Sequence, residues 1–444
     1  LAIFLTSFSL FGDEAQYWLW SRTLDFGYLS KPPFLAWALF VHTSLLGSSF
    51  EAIKFFPIFF YIFTSVVFYV LCRRLEMKKN IALFSAFSFF VIPAVSISSF
   101  LVSTDVVLLF FWIVSLIVLL QIRKNPSLIN FIILGILLGL AFLSKYAAVY
   151  FFICLLVNLV FDKVFRNLLI SHKLGLFVFV VVFIIVIFPN IYWNAINDWL
   201  TFSHTSDNAN FQNIKPNLLR GFYFIIIQAI MVGPFLVLMN IINIKNVVYD
   251  KENIFLLSFS VPIILIVFIE SVLVRANANW AAPGLICLLV FLIRILPLNK
   301  NYVLFLNFFI NYFICFIFFI LVAISSNLQV FKRISGVQDF NFEVNKILGE
   351  GSIVVVSDRL LYSTLAYENK NKKIKFLMPL APDQKISKHF QISSSLSKEI
   401  SENFLYIGDP SEISYLKNEN SVELVKELYP KFSPSPLKIY EVIF

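Results

Sequence analysis

The chain has 444 residues, 59% of them hydrophobic and 14% charged, with 54 phenylalanines; an ordinary soluble domain carries about 25% charged residues, so a water-soluble fold is excluded. The formal net charge of +9 does not indicate nucleic acid, because the bases sit in short clusters between apolar runs, as cytoplasmic loops do. Cys72, Cys154, Cys287 and Cys315 fall in or at the ends of apolar runs without a C-x-x-C pair, which argues against a disulfide or zinc framework.

A helix needs about 20 apolar residues to cross a ~30 Å hydrocarbon core. Eleven runs qualify as candidate spans: roughly 1–11, 52–72, 80–100, 105–122, 129–143, 146–161, 174–193, 220–242, 254–271, 280–296 and 302–322. The first is too short by itself and reads as a helix cut short. With that helix running outward, the inner loops hold Arg73, Arg74, Lys78, Lys79, Arg123, Lys124, Lys163, Arg166, Lys173, Lys245, Lys251, Arg294 and Lys300. The outer segments hold only Arg22, Lys31, Lys54, Lys145, Lys215, Arg220 and Arg275. Thirteen bases against seven is the positive-inside pattern. Eight acids, among them Asp13, Glu14, Asp105 and Glu270, collect outside, so chemistry is expected there.

Residues 12–51 form the first long outer segment. It predicts a helix from Glu14 to about Asp25, then Lys31-Pro32-Pro33, then a largely apolar helix from Phe34 to Leu46. Tyr17, Trp18, Trp20 and Trp37 suit an interface, where an aromatic ring keeps one polar edge wet. Asp13 and Glu14 could supply a general base and an acceptor-orienting group, or a metal ligand; Asp13 with Gln16 also has capping-box spacing, so Asp13 could simply cap its helix. Lys31, before a stiff Pro-Pro step, suits a phosphate or snorkels to headgroups.

Further along, Ser103-Thr104-Asp105 opens the fourth span at its outer end and reads as a cap. Lys145, in Ser144-Lys145-Tyr146 between two spans, reads as a topological charge. Residues 194–219 are polar, and His204 there could bind metal or phosphate or be idle. Glu270, Arg275, Asn277, Asn279 and Trp280 gather at one outer end, where arginine can fork onto phosphate and tryptophan can stack on a sugar. An Arg275–Glu270 pair anchoring the helix ends is the plainer alternative.

From Ser325 to Phe444 the composition turns ordinary. Short β-like runs at Ile353–Val356, Ile374–Leu377, Phe404–Ile407 and Leu437–Ile443, with a helical stretch from Arg359 to Glu368, predict a small α/β domain. An odd number of spans puts it outside. The expected organisation is a transmembrane part at 1–324 and a periplasmic α/β domain at 325–444.

Gly12-Asp13-Glu14-Ala15, Gly27-Tyr28 with Lys31-Pro32-Pro33, Asn190 to Asn194 with Trp193, Thr201-Phe202-Ser203-His204-Thr205 with Asp207-Asn208, and Ala278-Asn279-Trp280-Ala281-Ala282-Pro283 together resemble the bacterial dolichyl-phosphate-mannose protein mannosyltransferase-like family. That family has the GT-C glycosyltransferase fold, and its relatives include the transferase that adds aminoarabinose to lipid A. The resemblance covers about residues 1–320. It implies an inverting glycosyltransferase of the bacterial inner membrane that uses a polyprenyl-phosphate sugar donor and an envelope lipid, glycan or protein acceptor, with its site in outer loops.

By the same resemblance Asp13 is the base, Glu14 helps to bind acceptor or metal, and Asp105 is a matching acid. Lys31 holds the carrier phosphate, with His204 and Arg275 as looser matches, while Tyr17, Asn279 and Trp280 are candidate substrate contacts. A divalent metal ion is the one candidate cofactor. Ser30 stands where the aminoarabinose branch implies an acid, which tells against a lipid A acceptor and a metal site. A transporter or lipid flippase also suits eleven spans, but transporters place charged groups near the midplane and show paired broken repeats, and here almost no charge falls within a span.

Overall fold

The computed structural model describes residues 8–209, 214–243, 248–297, 302–324, 336–382, 384–397, 400–416 and 421–444. Residues 1–7 of the first expected span, 210–213 of the second outer segment, the expected inner bases Lys245 and Lys300, and 325–335 lie outside the described residues.

The apolar runs form helices of unequal length. Among the described residues five are long and apolar enough to cross a bilayer: Phe50–Arg74, Thr104–Lys124, Lys173–Ile196, Lys251–Leu273 and Tyr302–Ala323. Two further runs are sharply bent, Tyr146–Phe161 with Lys163–Ser171 at 111° and Leu218–Val232 with Pro234–Ile242 at 104°. The local chemistry accounts for both bends. Asp162 accepts from the Phe165 N–H at 3.0 Å and so starts a new helix. At the other bend Gly233, at φ +130°, stands before Pro234. The expected span at 80–100 is divided for the same kind of reason: Ile92 is extended before Pro93, which opens the short helix Pro93–Ser98.

The chain divides into two compact units, one of Ser30–Leu35 with Lys54–Phe319, the other of Leu1–Leu29, Ala36–Ile53 and Ile320–Phe444. In the first, Gly135 and Gly139 put two small residues four apart on one face of Leu128–Ser144, and the backbone of Lys173–Ile196 comes close. A Cβ at Gly139 would lie 2.6 Å from Val186 Cγ1. Arg123 pairs with Asp162 at 2.5 Å and Arg294 with Asp250 at 2.7 Å.

In the second unit we label the elements used below. Helix α1 is Gly12–Arg22 and α2 is Phe34–Leu46; α1 thus starts and ends about two to three residues before the expected helix. Helix α3 is Arg359–Glu368, with Asp358 accepting from the Leu361 N–H at 2.7 Å as its cap. The strands are β1 Ile353–Val356, β2 Lys375–Leu377, β3 Phe404–Ile407, β4 Ser421–Leu428 and β5 Leu437–Ile443, in the spatial order β2-β1-β3-β5-β4. Strand β1 is parallel to β2 and β3, and β5 is antiparallel to β3 and β4. All four residues of β1 and of β3 are buried, as strands inside a covered sheet require. Strand β4 is not among the expected elements. It is an exposed edge strand whose Glu423, Lys426 and Glu427 hide the β pattern.

Candidate active site

The Asp13–Glu14 pair separates as α1 begins. Glu14 is 2% exposed, and its carboxylate accepts from the Phe11 N–H at 3.0 Å, occupying one of the amide donors that a helix start leaves open. The cap expected of Asp13 is therefore supplied by its neighbour. Asp13 lies inside the helix with its side chain 58% exposed, 3.4 Å from Arg359 Nη1. Arg359 also donates to Gln16 Oε1 at 2.6 Å. Tyr17, on the same helix, is buried with its ring 5.4 Å from Trp20.

Downstream of α1 an aromatic cluster fixes the segment that leads into Lys31. Tyr28 stacks on Trp20 at 4.4 Å and 7°, and its hydroxyl donates to the Trp20 carbonyl at 3.0 Å. His389 meets both rings edge-on at 5.2 Å, and its Nδ1 accepts from the Leu29 N–H at 3.5 Å. Burial raises the Tyr28 phenol and lowers the His389 imidazole to about 4, so both are neutral at pH 7.

In the other unit Lys31 is partly buried between buried Ser30 and buried Pro32-Pro33. Asp105, in the first turn of Thr104–Lys124, is a second cluster's centre. Its Oδ1 accepts from Lys145 Nζ at 2.6 Å and its Oδ2 from Asn279 Nδ2 at 2.7 Å. The Asp105 and Lys145 side chains are 7% and 15% exposed. The expected cap does not hold, since no side chain of Ser103-Thr104-Asp105 caps the helix, and Lys145 gains a role beyond topology as the partner of a buried carboxylate. Two residues chosen separately from the sequence, Asp105 and Asn279, are brought together.

Beside Lys145, the Tyr146 hydroxyl donates to Asn190 Oδ1 at 3.0 Å and accepts from Asn194 Nδ2 at 3.4 Å. The Tyr146 ring stacks on Phe202 at 4.8 Å, and Asn194 Oδ1 accepts from the Thr201 N–H at 3.2 Å. This network ties down the helix Leu200–Ala209, which carries His204. Arg275 is exposed, and among the described residues no ion pair joins it to Glu270. Trp280 lies in the short 3-10 turn Ala278–Ala281 with Asn279.

Among the described residues no three His, Cys, Asp or Glu side chains form a metal-binding group. Glu14 is turned to a backbone amide and Asp13 to a guanidinium, so the two carboxylates do not face a common point. Lys145, Arg359, His389 and the Tyr146 network received no site role from the sequence. Lys145 carried a signal as a base that interrupts two apolar runs, and Asn190, Asn194, Thr201 and Phe202 of the network fall within the motifs quoted above.

Comparisons with known proteins follow the same lines. Residues 30–193 match the family described as dolichyl-phosphate-mannose-protein mannosyltransferase. The lipid A galacturonosyltransferase RgtD of Rhizobium johnstonii is 32% identical over 282 residues, 62% of this chain and 58% of the relative; the match thus spans less than two thirds of that relative. The crystal structures of ArnT from Cupriavidus metallidurans, in the apo state and bound to undecaprenyl phosphate, align with a TM-score of 0.66 at 13% and 14% identity. They cover 98% and 99% of this chain and 94% and 95% of theirs. At that identity the likeness carries the fold, the polytopic membrane GT-C architecture of ArnT.

Proposed function

We propose that this chain, grouped by residues 30–193 with the dolichyl-phosphate-mannose-protein mannosyltransferases, is a membrane glycosyltransferase that moves a sugar from a polyprenyl-phosphate carrier to an envelope lipid. The observation that carries the reading is the division of labour in α1: Glu14 caps the helix, which leaves Asp13 on the surface with no part in closing it. In the reaction Asp13 takes the proton of the acceptor hydroxyl as its oxygen attacks the anomeric carbon. The bond from that carbon to the phosphate oxygen breaks with its electron pair on the phosphate, and the anomeric centre inverts. Lys31 offers positive charge to the departing phosphate, and Asp105, held by Lys145 and Asn279, is the second candidate acid.

A polyprenyl-phosphate donor is supported by the undecaprenyl phosphate held by ArnT, and a lipid acceptor by the activity named for RgtD. Ser30 tells against lipid A while the activity named for RgtD supports it, and galacturonic acid is the first sugar to test. The outer placement of the site is supported by the ion pairs. The bases of Arg123–Asp162, Lys124–Glu76 and Arg294–Asp250 are all assigned to the inner side, whereas Asp105–Lys145 joins two residues assigned to the outer. The domain after Ser325 is then periplasmic.

Asp13→Asn is the test. Loss of a general base costs about a hundred- to ten-thousand-fold in rate, and the variant should insert normally and unfold at the wild-type temperature. Mass spectrometry of envelope lipids from cells with and without the protein identifies the product, and its formation is then followed in isolated membranes. Asp13→Asn membranes that work within about tenfold of wild type would remove Asp13 as the base.

A further inference from the structure

We propose that Arg359 is a positioning residue for Asp13, supplied to the catalytic helix from the α/β region more than 340 positions along the chain. The inference rests on the reading of Asp13 as the acceptor base.

The guanidinium is anchored before it meets the carboxylate. Its Nη1 gives a 2.6 Å bond to Gln16 Oε1, and Gln16 is 1% exposed. Asp13 and Gln16 are three apart, so they share one face of α1, and Arg359 lies across both. The same Nη1 stands 3.4 Å from Asp13 Oδ1, longer than the 2.7–2.9 Å of a charge-assisted bond. A carboxylate held in this way is oriented by a neighbouring charge while its oxygens stay able to accept a proton. A fork of two short bonds onto Asp13 would instead have tied up both.

The backbone around Arg359 is fixed on either side. Asp358 caps α3, and Leu360 packs so close to Gly12 that a Cβ there would lie 2.6 Å from Leu360 Cβ. Glycine at the head of the Gly12-Asp13-Glu14 motif thus has a reason in this packing. Six residues along α1, Trp18 meets Tyr367 of α3 edge-on at 5.1 Å. A half-exposed ion pair of this kind contributes little to stability, so the arrangement is read as orientation.

The experiment compares Arg359→Ala, Arg359→Lys, Asp13→Asn and Asp13→Asn/Arg359→Ala in the full-length protein. Each is assayed in isolated membranes for the envelope product that is lost when the protein is absent. Arg359→Ala should insert as wild type does, with some loss of stability because buried Gln16 is left without its donor, yet lose about ten- to a hundred-fold in rate, the scale of a misplaced reacting group. Added guanidinium should restore part of the rate to Arg359→Ala and nothing to Asp13→Asn. Arg359→Lys should fall between, since it keeps the charge but not the planar guanidinium that bridges Gln16 and Asp13, and it carries the test if Arg359→Ala is not recovered in membranes.

The double variant should be no slower than Asp13→Asn, because a residue acting only through Asp13 has nothing left to act on. A wild-type rate for Arg359→Ala beside an inactive Asp13→Asn would overturn this proposal alone, as would losses that multiply in the double variant. Full activity in Asp13→Asn would overturn the reading beneath it.

Discussion

Replacing Lys145 with methionine would leave Asp105 with one neutral donor in place of an ammonium and an amide. The Lys145 Nζ to Asp105 Oδ1 distance is 2.6 Å, with the two side chains 15% and 7% exposed, so water does not readily replace the lost partner. Removing one member of such a pair costs about 3–5 kcal/mol, because the remaining charge stays buried without compensation. Lys145→Met should lose that much in unfolding free energy, measured by denaturant titration in mixed detergent micelles. Asp105→Asn/Lys145→Met should recover part of it, since no charge then remains buried, and the cycle isolates the pair. A loss below about 1 kcal/mol for Lys145→Met would mean that the pair behaves as an exposed one, and Asp105 would not be rigidly held.

Lys31→Ala should keep the protein folded while slowing transfer roughly tenfold or more, because a charged contact to phosphate contributes on the order of 1.5–3 kcal/mol; an unchanged rate in membranes would remove Lys31 from the site. His389 has an ordinary value of 6.5 and is lowered by burial to about 4, so its contribution is whole above pH 6.5 and is lost as the pH falls toward 4, by roughly 3 kcal/mol. His389→Phe should flatten that part of the stability–pH curve, and an unaltered curve would show that His389 is not its source. Gly12→Ala would bring a methyl to 2.6 Å from Leu360 Cβ, and a loss of about 1–3 kcal/mol is expected in thermal unfolding; wild-type stability would mean that α1 and α3 do not pack so closely.

The sequence by itself determined whatever depends on neighbours in the chain. Composition and run length were enough for a polytopic membrane protein. The bounds of Phe34–Leu46, of Arg359–Glu368, and of β1, β3 and β5 were readable because hydrophobic period and turn chemistry act within a few residues. Edge strand β4 was not, since both of its faces meet water and no periodic pattern marks them. The motifs named candidate residues without saying which of them would touch. Only the fold decided that Glu14 rather than Asp13 closes α1. It alone set Asp105 against Lys145, 40 positions away, and Asn279, 174 away, and brought Arg359 to Gln16 across 343 positions. Such partners are chosen by burial, where a carboxylate or carboxamide taken from water must find a hydrogen bond wherever the packed chain offers one, and no local pattern in the sequence records that choice.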